Sequence, residues 1–452
     1  MLKRRSVTTV LGIVGMAVLS FAQGPTPVAV RAGQLFDGNS GKMLVDQVVI
    51  ITGDRISQVG SFQNVTIPPG TRVIDLSRAT VLPGLLDCHT HTFEHANRWP
   101  KYADYDAEIR EESASYRTLQ ASVDARHDLE AGFTTIRDLE TLGAEYSDVD
   151  LRNAIDVGLV PGPRMQVATN GIAATGGYYP AGMHYPFGFS VPHTIDIVNS
   201  PDEARKAVRE QVMYGADLIK IYTMWSWSFD SSGRIVAPPT LTLAEVQAVV
   251  DEAHKEGKKV ACHAYGGEGL RNCVDAGVDS VEHAFDIDDL TIGKIVKKGI
   301  YLCPTSYLYP IQEEADLVKS NGKNSRKRIQ DESFPRVLAA GVKVVFGTGV
   351  GPYPHGTQAK EFSRLVSLGM TPTRAILSST NVCPQLMGWE NQVGSIEPGK
   401  FADLIAVDGN PLTDITELER VKFVMKGGVV VRDDYRFVAV HESLAHTGSE
   451  RF

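Results

Sequence analysis

The chain has 452 residues, 43% of them hydrophobic and 22% charged, which is ordinary globular composition with enough apolar material for a large core. These figures exclude a disordered, collagen-like or coiled-coil protein, and the length suits two or three domains or one large barrel with an appendage. A net charge of -9 argues against a nucleic-acid binder, whose footprint would be basic.

Lys3, Arg4 and Arg5 precede an apolar run from Val7 to Leu19, and Ser20-Phe21-Ala22 follows as a small-x-small cleavage pattern. The run is too short for a comfortable transmembrane helix. Residues 1–22 are expected to be a signal peptide cut before Gln23, with the mature protein periplasmic or secreted; an uncleaved N-terminal anchor is the alternative. A twin-arginine reading of Arg4-Arg5 is weakened by the Ser-Val-Thr that follows. No other segment is long and apolar enough to make a stable membrane span.

From Pro27 to Val81 short strand-like runs alternate with Gly, Asn, Asp and Pro turns. The same texture returns at Asp403–Val407 and from Val421 onward. Both chain ends are expected to build one composite β-sandwich domain, residues 23–80 and 387–452. Between them, a charged helical stretch repeatedly ends in Gly and is followed by a β-branched run with polar residues at its end. Gly132-Phe-Thr-Thr-Ile-Arg-Asp, Gly215-Ala-Asp-Leu-Ile-Lys-Ile-Tyr and Gly257-Lys-Lys-Val-Ala-Cys-His are three copies; others begin at Gly277, Gly299 and Gly341. With Leu82–His91 and Pro163–Thr169 they make eight strand candidates. A helix-capping glycine, a buried parallel strand and a polar strand end define a βα unit. Eight units predict an α/β fold, a (β/α)8 TIM barrel over residues 81–386, with chemistry at the strand C-termini. An open doubly wound sheet is the rival, but no dinucleotide fingerprint is present. Five cysteines, Cys88, Cys262, Cys273, Cys303 and Cys383, are too few and too odd in number for a disulfide framework, so most are expected to be buried thiols.

Asp87-Cys88-His89-Thr90-His91 ends the first barrel strand. Strand residues two apart share a face, so His89 and His91 point together and can grip one metal ion. His263 closes the fifth strand and His283 the sixth. Four histidines at three strand ends are hard to explain as core packing, whereas His95 reads as a hydrogen-bonded loop residue. His127, His193, His254, His441 and His446 read as surface residues. Lys220 closes the fourth strand. Desolvation beside cations lowers a lysine pKa, and a neutral amine can add carbon dioxide to become a carbamate, an anionic ligand able to bridge two metals. A strand-end lysine paired with an acid would be preferred were the histidines absent.

Residues from about 27 to 435 resemble the amidohydrolase superfamily, and within it the imidazolonepropionase-like group of Xaa-Pro dipeptidases, carboxypeptidase-like enzymes and ochratoxin-type amidases. The resemblance rests on Leu82-Pro-Gly-Leu-Leu-Asp-Cys-His-Thr-His91, Ile219-Lys220-Ile, His263-Ala-Tyr-Gly266 and Val281-Glu-His283. Tyr353-Pro-His-Gly356, Glu361-Phe362, Gly369-Met-Thr-Pro372 and the run Gly394–Leu412 also fit. It implies two zinc ions (Zn2+), one held by His89 and His91, the other by His263 and His283, with carboxylated Lys220 bridging. It further implies amide hydrolysis by a metal-activated hydroxide, with an aspartate at the end of strand eight doing the proton work.

Here the chain departs from the family: the expected Gly-Thr-Asp reads Gly347-Thr348-Gly349. Glycine neither ligates metal nor carries a proton, and acid–base groups typically contribute about 10² to 10⁴ in rate. No neighbour obviously substitutes, since Asp286, Asp288 and Asp289 follow a different strand and Glu361 belongs to the next helix. Relatives often carry histidine after the glycine pair where this chain has Gly176-Gly-Tyr178. The expected protein is an exported zinc-dependent hydrolase of a dipeptide or N-acyl amino acid, impaired at Gly349. Tyr222, Tyr265 and His355 are its candidate substrate contacts. The alternative is a catalytically inactive metal- and ligand-binding barrel. The expected partner is a small amide or peptide; a homo-oligomer is compatible with the chain, though its sequence does not specify one.

Overall fold

The structure, a computed structural model, describes residues 26–95, 109, 111–178 and 194–435. The expected signal peptide, His193, His441 and His446 lie outside those residues.

The N-terminal strands are β1 (Val28–Phe36), β2 (Met43–Thr52), β3 (Arg55–Ser61) and β4 (Arg72–Pro83). The central segment carries β5 (Leu85–Thr90), β6 (Phe133–Asp138), β7 (Arg164–Val167), β8 (Gly171–Ala173), β9 (Ile195–Ile197) and β10 (Leu218–Tyr222). A small hairpin of β11 (Ser228–Phe229) and β12 (Ile235–Val236) comes next. β13 (Lys259–Gly266), β14 (Ser280–Asp286), β15 (Tyr301–Cys303) and β16 (Lys343–Val344) follow, before the terminal strands β17 (Leu404–Val407), β18 (Phe423–Lys426) and β19 (Val429–Asp433).

Both chain ends share one sheet, as expected, in the order β19-β18-β17-β4-β1-β2-β3. Hydrogen bonding is continuous through all seven strands. The sheet bends until Ile56 of β3 donates to Lys400 O just ahead of β17. It encloses Val30, Val49, Ile74, Leu404, Phe423 and Met425, supplied by inward positions of both ends. The β18–β19 turn places Gly427 and Gly428 at φ of 54° and 75°, positive at both central positions, as a type I′ hairpin requires.

Between the chain ends lie two parallel sheets, β5-β6-β7 and β16-β15-β14-β13-β10-β8-β9. Apart from the partly exposed Asp286 and Lys259 at strand ends, β5, β6, β10, β13 and β14 are buried along their lengths, as strands covered on both faces must be. Backbone bonds join the two sheets at both margins. On one side β7 runs into β8 through a short break, and Asp217 N donates to Val167 O at 2.9 Å. On the other, Cys88 N donates to Phe346 O at 3.0 Å and His91 N to Val350 O at 2.9 Å. The predicted glycines do stop helices: Gly215, Gly277 and Gly299 cap theirs in the left-handed conformation.

The interior beneath the strand ends is polar. Arg137 of β6 is 2% exposed and donates to Cys88 O, Ser280 Oγ and Glu282 Oε1. The cysteine expectation holds for three of the five, Cys88, Cys303 and Cys383, which are buried thiols, and does not extend to Cys262 and Cys273. Cys262 of β13 is joined to Cys273 of the following helix, with Cα atoms 6.4 Å apart, because that helix packs directly back onto its own strand.

Candidate metal centre

Four imidazoles converge where β5, β13 and β14 end. Strand alternation sends His89 and His91 to one side, and their Nε2 atoms stand 3.1 Å apart. The strand is pinned on both flanks: Gly349 N donates to His89 O at 2.7 Å and Leu139 N to Thr90 O at 2.9 Å. Opposite them, His283 Nε2 lies 3.0 Å from His263 Nδ1, and the rings of His89 and His283 are 5.1 Å apart. Two nitrogens on one tetrahedral zinc ion lie about 3.3 Å apart. Each pair therefore has the spacing of ligands that share an ion. His283 and Ala284 hold positive φ values of 72° and 36°, a conformation L-residues seldom adopt and one that concentrates at functional sites.

Burial, then the Lys220 charge, pushes His89 and His91 well below the ordinary imidazole range. Burial also depresses His263 and His283, reinforced by neighbouring histidines and Lys220. All four are neutral near pH 7, the form in which imidazole binds metal. Lys220, at the centre of β10, is fully buried, and its Nζ has no hydrogen-bond partner. Burial lowers its pKa, although Glu282 and Glu140 draw it back upward. A buried ammonium without a paired anion is costly, so the donor set suits an amine converted to an anionic ligand. Two neutral histidine pairs around such a group fit a binuclear zinc site.

A layer of carboxylates backs this cluster, and sequence reasoning missed it. His89 Nδ1 lies 2.9 Å from Glu282 Oε2, while Arg137 holds Oε1 at 2.9 Å. Burial alone would raise the Glu282 pKa; Arg137, Lys220 and the Ser280 hydrogen bond outweigh it and hold the carboxyl below its usual range. His91 Nδ1 sits 3.8 Å from both Glu94 and Glu140. Glu140 accepts from Tyr178 at 2.6 Å and from the Tyr222 hydroxyl. Burial pushes Glu140 up to about 7. Glu282 could have been noticed from its place beside His283 in the quoted motif, but nothing local marked Glu94 or Glu140.

The candidate substrate contacts fare differently. Tyr222 and Tyr265 flank His263, each with its ring 4.8 Å away. The Tyr222 hydroxyl is committed to Glu140, and Tyr178, in the place where histidine was expected, serves the same carboxylate. His355, the third candidate, is placed behind His91. It is buried, with Nδ1 on Asp128 at 3.0 Å and Nε2 donating to His91 O at 3.2 Å. Both nitrogens are spent inside the protein, so His355 supports the His91 backbone. His95 is the hydrogen-bonded residue expected, 2.8 Å from Asp124, and His127 and His254 are surface residues.

Gly349 lies beside the His pair, with φ at 63°. A Cβ there would meet Thr305 Cγ2 at 3.4 Å and His89 Cδ2 at 4.0 Å, ordinary contact distances. A side chain at this position would thus stand next to His89. Glu361 does not replace it: its carboxylate accepts from Ser306 N and Tyr307 N, holding the loop after β15.

A histidine cluster and buried lysine at the ends of parallel strands, beside a sheet made from both chain ends, define a metal-dependent hydrolase of the amidohydrolase type. The chain belongs to the amidohydrolase family, whose pattern matches residues 80–431. It is 28% identical to ochratoxinase of Aspergillus niger over 431 residues, covering 88% of this chain and 85% of the relative. It is 22% identical to the imidazolonepropionase of Geobacillus kaustophilus over 80% of this chain and 83% of that one. Among solved structures, a Xaa-Pro dipeptidase with bound methionine in the active site superposes with a TM-score of 0.80 at 34% identity, covering 90% of this chain and all of the other.

Proposed function

We propose that this protein is a zinc-dependent amide hydrolase acting on a dipeptide or an N-acyl amino acid. The observation that carries this reading is the buried Lys220 Nζ, without a hydrogen-bond partner, among two histidine pairs at ligand spacing. His89 and His91 would hold one ion and His263 and His283 the other, with a carbamate on Lys220 between them. The joined parallel sheets are read as a closed (β/α)8 barrel over residues 81–386, and residues 23–80 with 387–452 as its companion domain. Zinc bound there supplies an activated water and polarises the amide carbonyl. The chain's own residues orient the ligands: Glu282 fixes the His89 ring, and His355 holds the His91 backbone. Tyr222 and Tyr265 pack on either side of His263. The dipeptidase name of one solved relative and the ochratoxinase name of another protein support an amide substrate.

Gly349 favours a second reading, a barrel that binds metal and ligand without turnover, because position 349 offers no group to protonate a leaving amine. A panel of dipeptides and N-acyl amino acids, assayed with the zinc-loaded mature protein, separates the two. Zinc-dependent turnover supports the hydrolase; ligand binding with no product supports the second reading. Export by residues 1–22 is part of the same proposal. Among the described residues no helix is long and apolar enough to cross a membrane.

A further inference from the structure

The chain leaves the sheet after β10 at Thr223 and comes back to the same point at Thr240. Thr240 N donates to Thr223 O at 2.8 Å, and Thr240 Oγ1 donates to Tyr222 O at 2.6 Å. Residues 224–239, with the β11–β12 hairpin at their far end, are therefore a closed excursion with its two ends tied together. Alternate residues of an extended segment share a face. The excursion keeps that division: Trp225, Trp227, Phe229 and Ile235 are half-buried, while Ser226, Ser228 and Val236 are exposed.

Its half-buried face lies over the ends of the neighbouring strands. Trp225 stands 5.6 Å from the His263 ring and Trp227 stands 6.5 Å from Tyr265, both residues of β13. The tip continues past β14 and docks on the connection that follows β15. There Lys323 Nζ donates to Ser231 O at 2.5 Å across 92 positions of sequence, and Asn324 Nδ2 donates to Gly233 O at 3.0 Å. Lys319 Nζ lies 3.4 Å from the Trp227 ring centre and the Arg326 guanidinium 4.6 Å.

The two parts differ in how firmly they are held. Lys319 and Lys323 are exposed, and contacts made by surface lysines exchange readily with water. Trp227 and Ile235 rest on the rim of the main core, which returns the excursion to one seat. Beneath it, His263 and His283 are 4% and 6% exposed, and His263 Nε2 has no hydrogen-bond partner among the described residues. A ligand reaching these imidazoles from solvent must displace what lies above them, and a segment docked by few polar contacts opens at the lowest cost.

We propose that residues 224–239 are a strap over the His263 side of the histidine cluster, hinged at Thr223 and Thr240. It leaves its dock on Lys319–Arg326 to admit a ligand and returns to exclude water once the ligand is seated. The strap works in the same way whether the cluster hydrolyses its ligand or only binds it.

Reagent access to the imidazoles tests this on metal-free protein, without turnover. Diethyl pyrocarbonate at low dose acylates neutral imidazole, and peptide mass spectrometry reads each histidine separately. Lys319→Ala combined with Lys323→Ala should speed His263 modification about tenfold, the size expected from losing a charged hydrogen bond and a cation–π contact. Ser231→Cys with Lys323→Cys, joined by a short bismaleimide, should react more slowly at His263 than the same protein before joining. Cys88, Cys303 and Cys383 are buried and stay out of that bridge. The exposed His127 and His254 and the buried His95 should keep their rates throughout. Equal His263 rates in all forms, or no reaction in any, overturn the strap. A parallel rise at His95 also overturns it, since that marks general loosening. Should the double alanine variant fail to fold, the cysteine pair before and after joining decides alone.

Discussion

His89 Nδ1 faces Glu282 Oε2 at 2.9 Å, and this pairing decides what the rest of the His89 ring can do. A carboxylate only accepts, so Nδ1 carries the proton and Nε2 presents its lone pair toward His91. Glu282→Gln removes the obligatory acceptor while keeping the shape. Zinc affinity should fall about 10- to 100-fold, the usual effect of such supporting groups. Competition with a chromophoric chelator measures it, and unchanged affinity would mean that Glu282 serves only to neutralise Arg137.

Lys220→Ala should lower the zinc stoichiometry, because the anion between the two histidine pairs would be lost. The mature protein should hold more than one zinc per chain, and the variant fewer, by elemental analysis. Equal content in both would sink the carbamate assignment.

Gly349→Asp should raise hydrolytic activity about 10²-fold or more, the ordinary contribution of an acid–base group. A Cβ at 349 meets only ordinary contacts, and although a φ of 63° strains any side chain, aspartate adopts it more readily than most residues. The comparison runs on zinc-loaded proteins over one amide panel. A folded, zinc-bound variant that cleaves nothing faster would refute Gly349 as the place of a missing acid–base group.

The strand-end histidines and Lys220 were legible because strand period and glycine spacing are local: each sits at a fixed place in a repeated unit. The carboxylates behind them were not. Glu140 reaches Tyr222 across 82 positions of sequence and Glu282 reaches His89 across 193, and no local pattern encodes such meetings. The His355–Asp128 pairing was hidden for the same reason, since its members lie 227 positions apart. Cys262 and Cys273 were read singly, though the strand-to-helix reversal between them was visible in the glycine pair Gly266-Gly267.

The His355–Asp128 pair should make stability fall as the pH rises. Burial opposes the imidazolium, but the Asp128 charge and hydrogen bond prevail and raise the His355 pKa to about 10 from 6.5. Its contribution is thus complete below about pH 6.5 and disappears as the pH passes through about 10. His355→Asn should cost about 3–5 kcal/mol at pH 6, as loss of one member of a buried pair does, and less as pH 10 is approached. Urea unfolding of both proteins across that range is the check; a gap independent of pH would contradict a charged pair.

Export predicts that extracytoplasmic protein begins at Gln23, which intact mass would show. Recovery of full-length chain from the cytoplasm alone would refute it.

β4 lies between β1, made early, and β17, made near the end of synthesis. Until β17 emerges, the Thr80–Pro83 end of β4, which pairs with it, keeps an open edge that invites the wrong neighbour. Arg55 and Gly399, bonded to each other across 344 positions, cannot meet before nearly all the intervening segment exists. Such non-local closure is slow, so the sheet is completed only once the C-terminal strands have been made. Shortening the C-terminus before β17 would not trim a tail; it would leave the first strands made without their last partner.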